Sequence, residues 1–578
     1  MWTQNFDPMN NLLLSALIAA IPILFMFWAL AIKRMKGHFA GLWTVLIAVL
    51  LAAFVYGMPA DLAIVSAIHG AFYGIFPIGW IVITAVFLYN ITVKTGQFEI
   101  IKDSIASITD DRRLQVLLIG FSFGAFLEGA AGFGAPVAIA GGMLVGLGFN
   151  PLYAAGLCLI ANTAPVAFGA IGIPIIVGGQ VTGIDDFAIA QMVGRQLPFL
   201  SFFVPFWLVI IMSGFKGLKE VFPAAFVSGG SFAIAQWWSA NYLGPLLPDI
   251  ISSLVSIIAL VIFLRFWKPK KAWRFKDEPE QTYSVGKLQF KEVLRAWSPF
   301  IILTLFVGDW GMNSVKAILN KVSVAFNVPI LHEAVISGTT GNPNAAIYTL
   351  NWLSAAGTAI LLAAIVTMII LRVSIGEGLK IFSETIKTLK FTLVTIAAVL
   401  GFAYVGNNSG MTTSLGLAFA QAGGLFPLVS PLVGWIGVFV TGSDTSANAL
   451  FGKLQTTAFE QIGVDPVLGI AANSSGGVTG KMISPQSIAV ATAATGLVGK
   501  EADLFRFTVG HSLFFLAIIC VITYLQSGPL SWMIPEYTAG VAAAVKTQAE
   551  LMQTGTIILV ITIIITLALG AYVYRKKA

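Results

Sequence analysis

Apolar runs of about twenty residues, each long enough to cross a bilayer, recur along nearly the whole chain. They predict spanning helices near residues 12–32, 40–57, 72–92, 197–213, 220–243, 248–266, 293–312, 353–371, 389–406, 507–525 and 553–574. In two stretches, about 114–182 and 428–498, the pattern changes, and Gly, Pro, Asn, Ser and Thr interrupt the apolar positions. Each such polar region is expected to hold a re-entrant hairpin followed by one interrupted crossing helix. The predicted fold is therefore an all-α polytopic membrane protein of about 13 spanning helices and two re-entrant hairpins, with broken helices at the midplane.

Basic residues lie between the runs: Lys33–Lys36, Lys94 to Arg113, Lys216 and Lys219, Lys268–Lys271, Lys380 to Lys390 and the terminal Arg575–Lys577. Short basic loops face the cytoplasm. Counting passes then puts the N-terminus outside and the C-terminus in the cytoplasm, provided each polar region crosses an odd number of times. Segments 97–113 and 374–390 read as amphipathic surface helices on the cytoplasmic side, and 313–350 as an external loop. The first run is too long for the apolar core of a signal peptide and lacks a small-residue cleavage site, so it is expected to remain as a spanning helix.

Composition agrees with this pattern. The chain of 578 residues is 57% hydrophobic and 10% charged, against about 25% charged for a soluble domain. The net charge of +7 is spread through short loops and does not indicate a nucleic-acid partner; lipid is the expected surrounding. Cys158 and Cys520 both fall in apolar segments, which suggests neither a disulfide framework nor a metal site.

The two polar regions resemble each other. The first contains FLEGAAGFGAP (Phe126–Pro136), FNPLYAAGLCLIANTAP (Phe149–Pro165), GIP (Gly172–Pro174) and VTGIDDF (Val181–Phe187). The second contains FVTGSDTSANA (Phe439–Ala449), VDPVLGIAANSSGG (Val464–Gly477), ISP (Ile483–Pro485) and LVGKEADLF (Leu497–Phe505). Asn162 and Asn473 are separated by 311 positions, as are Pro174 and Pro485. Three predicted spans precede each region and one follows it, and the halves begin on opposite sides. This is an inverted-topology repeat, a plan in which secondary transporters bind substrate where the repeats meet. The expected division is 1–219 as the first half and 220–292 as a two-helix link with a basic loop. Residues 293–526 form the second half, and 527–578 add a further C-terminal helix.

Hairpin tips are expected near Glu128–Gly134 and Gly442–Ser446, and helix interruptions near Asn162–Pro165 and Asn473–Gly480. Amides freed at half-helix N-termini can hold an anion. Asp444 and Glu128 are the candidate proton-coupling residues, because intramembrane carboxylates are rare and characteristically mark ion or proton routes; each can instead be a structural partner of a helix end or a basic residue. Substrate-binding candidates are Asn162, Thr163, Ser443, Thr445, Ser446, Asn473, Ser474 and Ser475, for which helix capping is the competing role. Lys481 can neutralise a substrate carboxylate, pair with Asp444, or extend to the interface. Gln486 lies on the same stretch. Arg195 and His511 occupy matching repeat positions suited to interfacial anchors. His69, ahead of the span 72–92, and His38 are further candidates for a proton relay or for simple hydrogen bonding.

No enzyme signature is present: there is no phosphate-binding lysine loop, no paired metal ligands and no nucleophile–base pattern. The glycines of GAAGFGAP follow no β-strand and precede no ribose-binding carboxylate. No cofactor is expected, and an ion gradient is the expected energy source.

The segments DRRLQVLLIGFSFGAFLEGAAGFGAPVAI, NPLYAAGLCLIANTAPVAFGAIGIPI, GRQLPF, PDIISSLVS, TGSDTSANALF and SSGGVTGKMISPQSIA resemble the bacterial lactate permease family, which includes lactate and glycolate permeases. The resemblance runs from the N-terminal region to about residue 525, weakens over 267–292 and 313–350, and leaves 553–574 outside. It implies uptake of a small 2-hydroxymonocarboxylate, lactate or glycolate, with a proton across the bacterial inner membrane. Sodium coupling, a different small carboxylate and a passive anion channel remain open alternatives.

Overall fold

The computed structural model describes residues 1–132, 134–275, 289–537 and 548–574. Helices dominate, and ten of those described are long and apolar enough to cross a membrane, or eleven with one bent pair. That count differs from the expected 13 for identifiable reasons. The helix Leu197–Tyr242 turns at Gly214 (φ 67°), and Gly229 then packs on the Phe202 carbonyl, so this one element supplies two of the expected runs. Phe290–Gly311 carries Arg295 and Asp309, and Ala356–Leu371 has only 16 residues. Two of the ten, Arg112–Ala130 and Gly423–Thr441, are the first arms of the hairpins.

Each hairpin reverses at glycine. The first arm ends at Ala130 and the second begins at Ala135, with Gly132 and Gly134 at φ 58° and 86°. In the second hairpin, Gly442 (φ 70°) separates Phe426–Thr441 from Asp444–Gln461. These positive dihedrals are cheap for glycine and unfavourable for other residues. Both tips fall within the expected intervals.

Behind each hairpin comes a crossing helix opened by the same device, a capping side chain followed by proline at the first helical position. Asn150 accepts from the Leu152 amide ahead of Pro151–Ala161. Asp465 accepts from the Val467 amide ahead of Pro466–Lys481. The first crossing helix breaks after Ala161 and resumes with a 66° bend, as the Asn162–Pro165 stretch predicts. The second does not break at Asn473–Gly480: Pro466–Lys481 is continuous, and the interruption comes at Met482–Ser484, before Pro485–Thr495. The glycines there do not open the helix; they let another backbone come close. Gly476 lies against the Pro431 carbonyl and Gly480 against that of Trp435, the close packing that small residues allow between membrane helices.

The halves interlock. The second arm of the first hairpin packs on Pro485–Thr495, and the second arm of the second hairpin packs on Gly169–Thr182. Arg113, fully buried at the base of the first hairpin, donates to both carboxylate oxygens of Asp111, to the Gly217 carbonyl and to Glu220. This ties the hairpin base to the turn within Leu197–Tyr242.

Three further expectations change. The span expected at 72–92 begins at residue 60 and bends near Gly74–Gly79, so His69 lies inside a helix and not ahead of one. The amphipathic segment 374–390 runs without interruption into the following span as Ile375–Ser409. The segment 313–350, expected as an external loop, contains a short helix and three strands: Val324–Asn327 pairs antiparallel with Ile347–Leu350, and Trp2–Thr3 pairs parallel with Val335–Ile336. Part of the expected link at 267–292 and part of the segment before the last helix lie outside the described residues.

Candidate functional site

The two hairpin tips and the two helix breaks meet around a cavity of about 80 Å³, with room for several water-sized molecules. Glu128, Gly132 and Gly134 line it from the first hairpin, and Gly442, Ser443, Asp444 and Thr445 from the second. Gly169, Ala170 and Pro174 contribute from the first crossing helix, and Lys481, Gln486 and Ser487 from the second.

Three helix N-termini open onto this space. They belong to Ala135–Gly146 beside Gly134, to Asp444–Gln461 at the second tip, and to Pro485–Thr495 at Gln486 and Ser487. Unpaired amides and the positive end of the helix dipole favour an anion at such places. Ser443 caps the second tip by accepting from the Ser446 amide, and Ser484 accepts from the Ser487 amide.

The charged groups are arranged in pairs. Lys481 Nζ donates to Glu128 Oε1 at 2.7 Å, with Glu128 buried and Lys481 nearly so. Glu128 Oε2 has no hydrogen-bond partner among the described residues. Asp444, also buried, accepts from Ser474 Oγ through Oδ2 at 2.6 Å, and its Oδ1 is likewise without a partner among the described residues. Each carboxylate is seated over a glycine: a methyl group at Gly169 would lie 2.6 Å from Glu128 Oε1, and one at Gly477 would overlap Asp444 Oδ1.

Behind Asp444 an amide network fixes the second hairpin to the first crossing helix. Asn448 Nδ2 donates to the Pro174 carbonyl at 3.0 Å and to Ser474 Oγ at 3.3 Å, while Asn473 Nδ2 donates to Asn448 Oδ1 at 2.9 Å. Gln455 donates to Asn473 Oδ1 and to the Ser430 carbonyl. On its other side the first crossing helix is held by Gln180, which donates to the Tyr404 hydroxyl at 2.7 Å, and by Asn407, which donates to the Val181 carbonyl at 2.7 Å.

The candidates from sequence thus separate by position. Glu128, Ser443, Asp444, Thr445, Lys481 and Gln486 line the cavity. Ser474 touches it through Asp444, Asn473 stands two hydrogen bonds further back, through Asn448, and Ser446 serves the cap through its amide. Asn162, Thr163 and Ser475 are buried outside the lining, and Asn162 Oδ1, Thr163 Oγ1 and Ser475 Oγ lack partners among the described residues. Arg195 donates to Asn241 Oδ1 and to the Met533 carbonyl, and His511 Nδ1 accepts from the Trp207 indole. His38 stacks on Phe391, and His69 packs against the rings of Tyr73 and Tyr404.

Two features escape sequence reasoning. Ala170, Ile171 and Gly172 hold consecutive positive φ values of 46°, 58° and 71° beside the cavity. A left-handed β-branched residue is a strained one, and such strain persists only where the surroundings over-determine it, characteristically at functional sites. Nothing in Ala-Ile-Gly announces that turn. The other is Asp249, which opens an ordinary-looking span after Pro248. A carboxylate in the first turn of a helix is commonplace, and nothing in the local sequence announces its burial.

The L-lactate permease family model matches residues 15–528 of this chain. The chain is 57% identical over 562 residues to the L-lactate permease of Bacillus subtilis strain 168, covering 92% of this chain and 100% of that protein. It is 54% identical over 560 residues to the glycolate permease GlcA of Escherichia coli K12, covering 92% and 99%, and 54% identical over 551 residues to the L-lactate permease of the same organism, covering 93% and 100%. A solved structure of Neisseria gonorrhoeae MtrF aligns over 79% of this chain and 82% of its own, with 15% identity and a TM-score of 0.43.

Proposed function

The chain belongs to the L-lactate permease family, and from that membership we propose that it is a secondary transporter importing L-lactate, with D-lactate or glycolate, together with a proton across a bacterial inner membrane. Family membership makes it a multi-pass membrane transporter. The observation that carries the finer reading is the cavity itself. One ammonium, three helix N-termini and two buried carboxyl groups converge on a space suited to a small anion.

In this reading the Lys481 ammonium and the helix-end amides take the substrate carboxylate. Ser443, Thr445 and Gln486 hold its hydroxyl, with Asn473 and Ser474 positioning the wall behind them. A small carboxylate alone at membrane depth is costly, and a proton carried with it removes the net charge. Asp444 or Glu128 receives that proton. Residues 1–219 and 293–526 form the two inverted halves around the link 220–292, with the N-terminus outside and the C-terminus in the cytoplasm. Residues 527–578 add a helix beyond the transport core. Lactate and glycolate differ by one methyl group, which a pocket discriminates by about 1–3 kcal/mol, so both are substrates in this reading. The relatives named for either molecule support that breadth.

The test is uptake of labelled L-lactate and glycolate into proteoliposomes. An inward proton gradient in sodium-free buffer drives accumulation above equilibrium. Uptake that ignores the pH gradient and collapses without sodium would overturn proton coupling. Flux that equilibrates but never accumulates under any ion gradient would make the protein a channel.

A further inference from the structure

Asp249 is the second residue of the helix Pro248–Phe266. It is 1% exposed, and neither of its carboxyl oxygens has a hydrogen-bond partner among the described residues. A carboxylate at that position ordinarily complements the exposed amides of its own helix, yet these oxygens accept from none of the described groups. The side chain instead lies against the first hairpin: a methyl group at Gly129, next to Glu128, would sit 2.7 Å from the Asp249 Cβ. Asp249 is within Coulombic reach of both Glu128 and Lys481.

Two buried carboxyl groups therefore lie in the field of one ammonium, which bonds to one of them. Lys481 bonds to Glu128 Oε1, which leaves Glu128 Oε2 and both Asp249 oxygens without partners among the described residues. With both ionised, Glu128 and Asp249 leave one negative charge over Lys481, and Asp444 lies in the field of the same lysine and of Glu128, a costly state for buried groups. One proton on the pair removes the excess that Glu128 and Asp249 leave over Lys481, and interacting like charges favour the sharing of a single proton. Other charged residues on the elements packed against this helix lie elsewhere. Lys216, Lys219 and Glu220 are at the turn within Leu197–Tyr242, Arg112 and Arg113 are at the base of the hairpin, and Gly169–Thr182 carries no charge.

We propose that Asp249 and Glu128 together bind the one proton that travels with the anion, with Lys481 as their shared counter-charge. The inference rests on the transport reading above and narrows its proton site. It also supplies the coupling. When a substrate carboxylate engages Lys481, Glu128 loses its counter-charge and the proton takes its place. Anion and proton then strengthen each other's binding, as reciprocal linkage requires. Asp444, held by Ser474 on the opposite hairpin, serves the substrate side of the cavity.

The experiment compares the wild type with Asp249→Asn in proteoliposomes. Exchange of internal for external L-lactate without a gradient is retained in the variant, while accumulation driven by a pH gradient is lost. A second measurement uses the wild-type protein alone. A hydrophobic carbodiimide, which modifies protonated buried carboxyl groups, labels Asp249 at acidic pH and ceases to do so at alkaline pH, as read by peptide mass spectrometry. Accumulation by Asp249→Asn equal to wild type would overturn the proposal. If that variant does not fold, absence of label on Asp249 in the wild type overturns it and pH-dependent label supports it. Failure of the wild type to take up either L-lactate or glycolate would instead remove the transport reading, a result distinguishable from a defect confined to the variant.

Discussion

Lys481 Nζ and Glu128 Oε1 meet at 2.7 Å although 353 residues separate them in sequence. The contact joins the end of the second crossing helix to the first hairpin, and it places the one cation lining the cavity among the described residues beside a buried carboxylate. Removing one member of a buried pair strands the other, at a cost of about 3–5 kcal/mol. Lys481→Met should therefore reduce L-lactate uptake by about a hundredfold or more, the factor equivalent to about 3 kcal/mol, and lower the thermal unfolding midpoint. The double variant Glu128→Gln/Lys481→Met should recover thermal stability without recovering uptake. Recovery of both would reduce the pair to a structural brace.

Glycines beneath the two carboxylates give a second test. Gly169→Ala crowds Glu128 and Gly477→Ala crowds Asp444, whereas a methyl group at Gly146 meets nothing within 4 Å. The first two substitutions should each lower initial uptake at least about tenfold, corresponding to about 1.4 kcal/mol. Gly146→Ala should leave uptake unchanged. Equal rates in all three variants would show that the carboxylates need no fixed seat.

Arg113 concerns stability. Its guanidinium makes a two-pronged contact with Asp111 and reaches Gly217 and Glu220, a geometry an ammonium cannot copy. Arg113→Met should cost about 3–5 kcal/mol by leaving Asp111 buried without its cation, with Arg113→Lys intermediate. Detergent-solubilised protein followed by thermal unfolding reads the order wild type, Lys, Met; a Met variant as stable as wild type contradicts it.

The helix Gln548–Tyr574 packs on Phe290–Gly311, Asn313–Leu319 and Ala356–Leu371, and it follows the stretch matched by the family model. A chain terminated after residue 537 should keep proton-driven uptake while unfolding at a lower temperature. Loss of substrate exchange in that truncated chain would assign the helix a part in the transport core.

Much of this organisation is legible in the residues because the bilayer imposes it. A segment in hydrocarbon must satisfy its own backbone and be apolar over a fixed length, so the spans, both hairpin tips and the first helix break follow from local pattern. The recurrence of Asn-Pro and Asp-Pro at the crossing-helix starts is equally local, since a cap and a proline act on the turn they begin. Glycine is where local reading fails. In GAAGFGAP it reverses the chain, but in SSGGVTGK it admits a neighbouring carbonyl, and composition alone does not separate the two uses.

The sequence by itself determined a helical membrane chain with two polar regions and carboxylates embedded in them. Only the tertiary structure decided which polar side chains share a cavity. It drew Lys481 to Glu128, set Asn162 and Ser475 outside the lining, and brought Asp249 from an unremarkable helix start to the same cluster. The physical reason is that hydropathy and capping act within a few residues, whereas a buried charge is balanced by whatever group packing brings near it. Between residues 128, 249 and 481 that partner is set by the interlocking of the two halves.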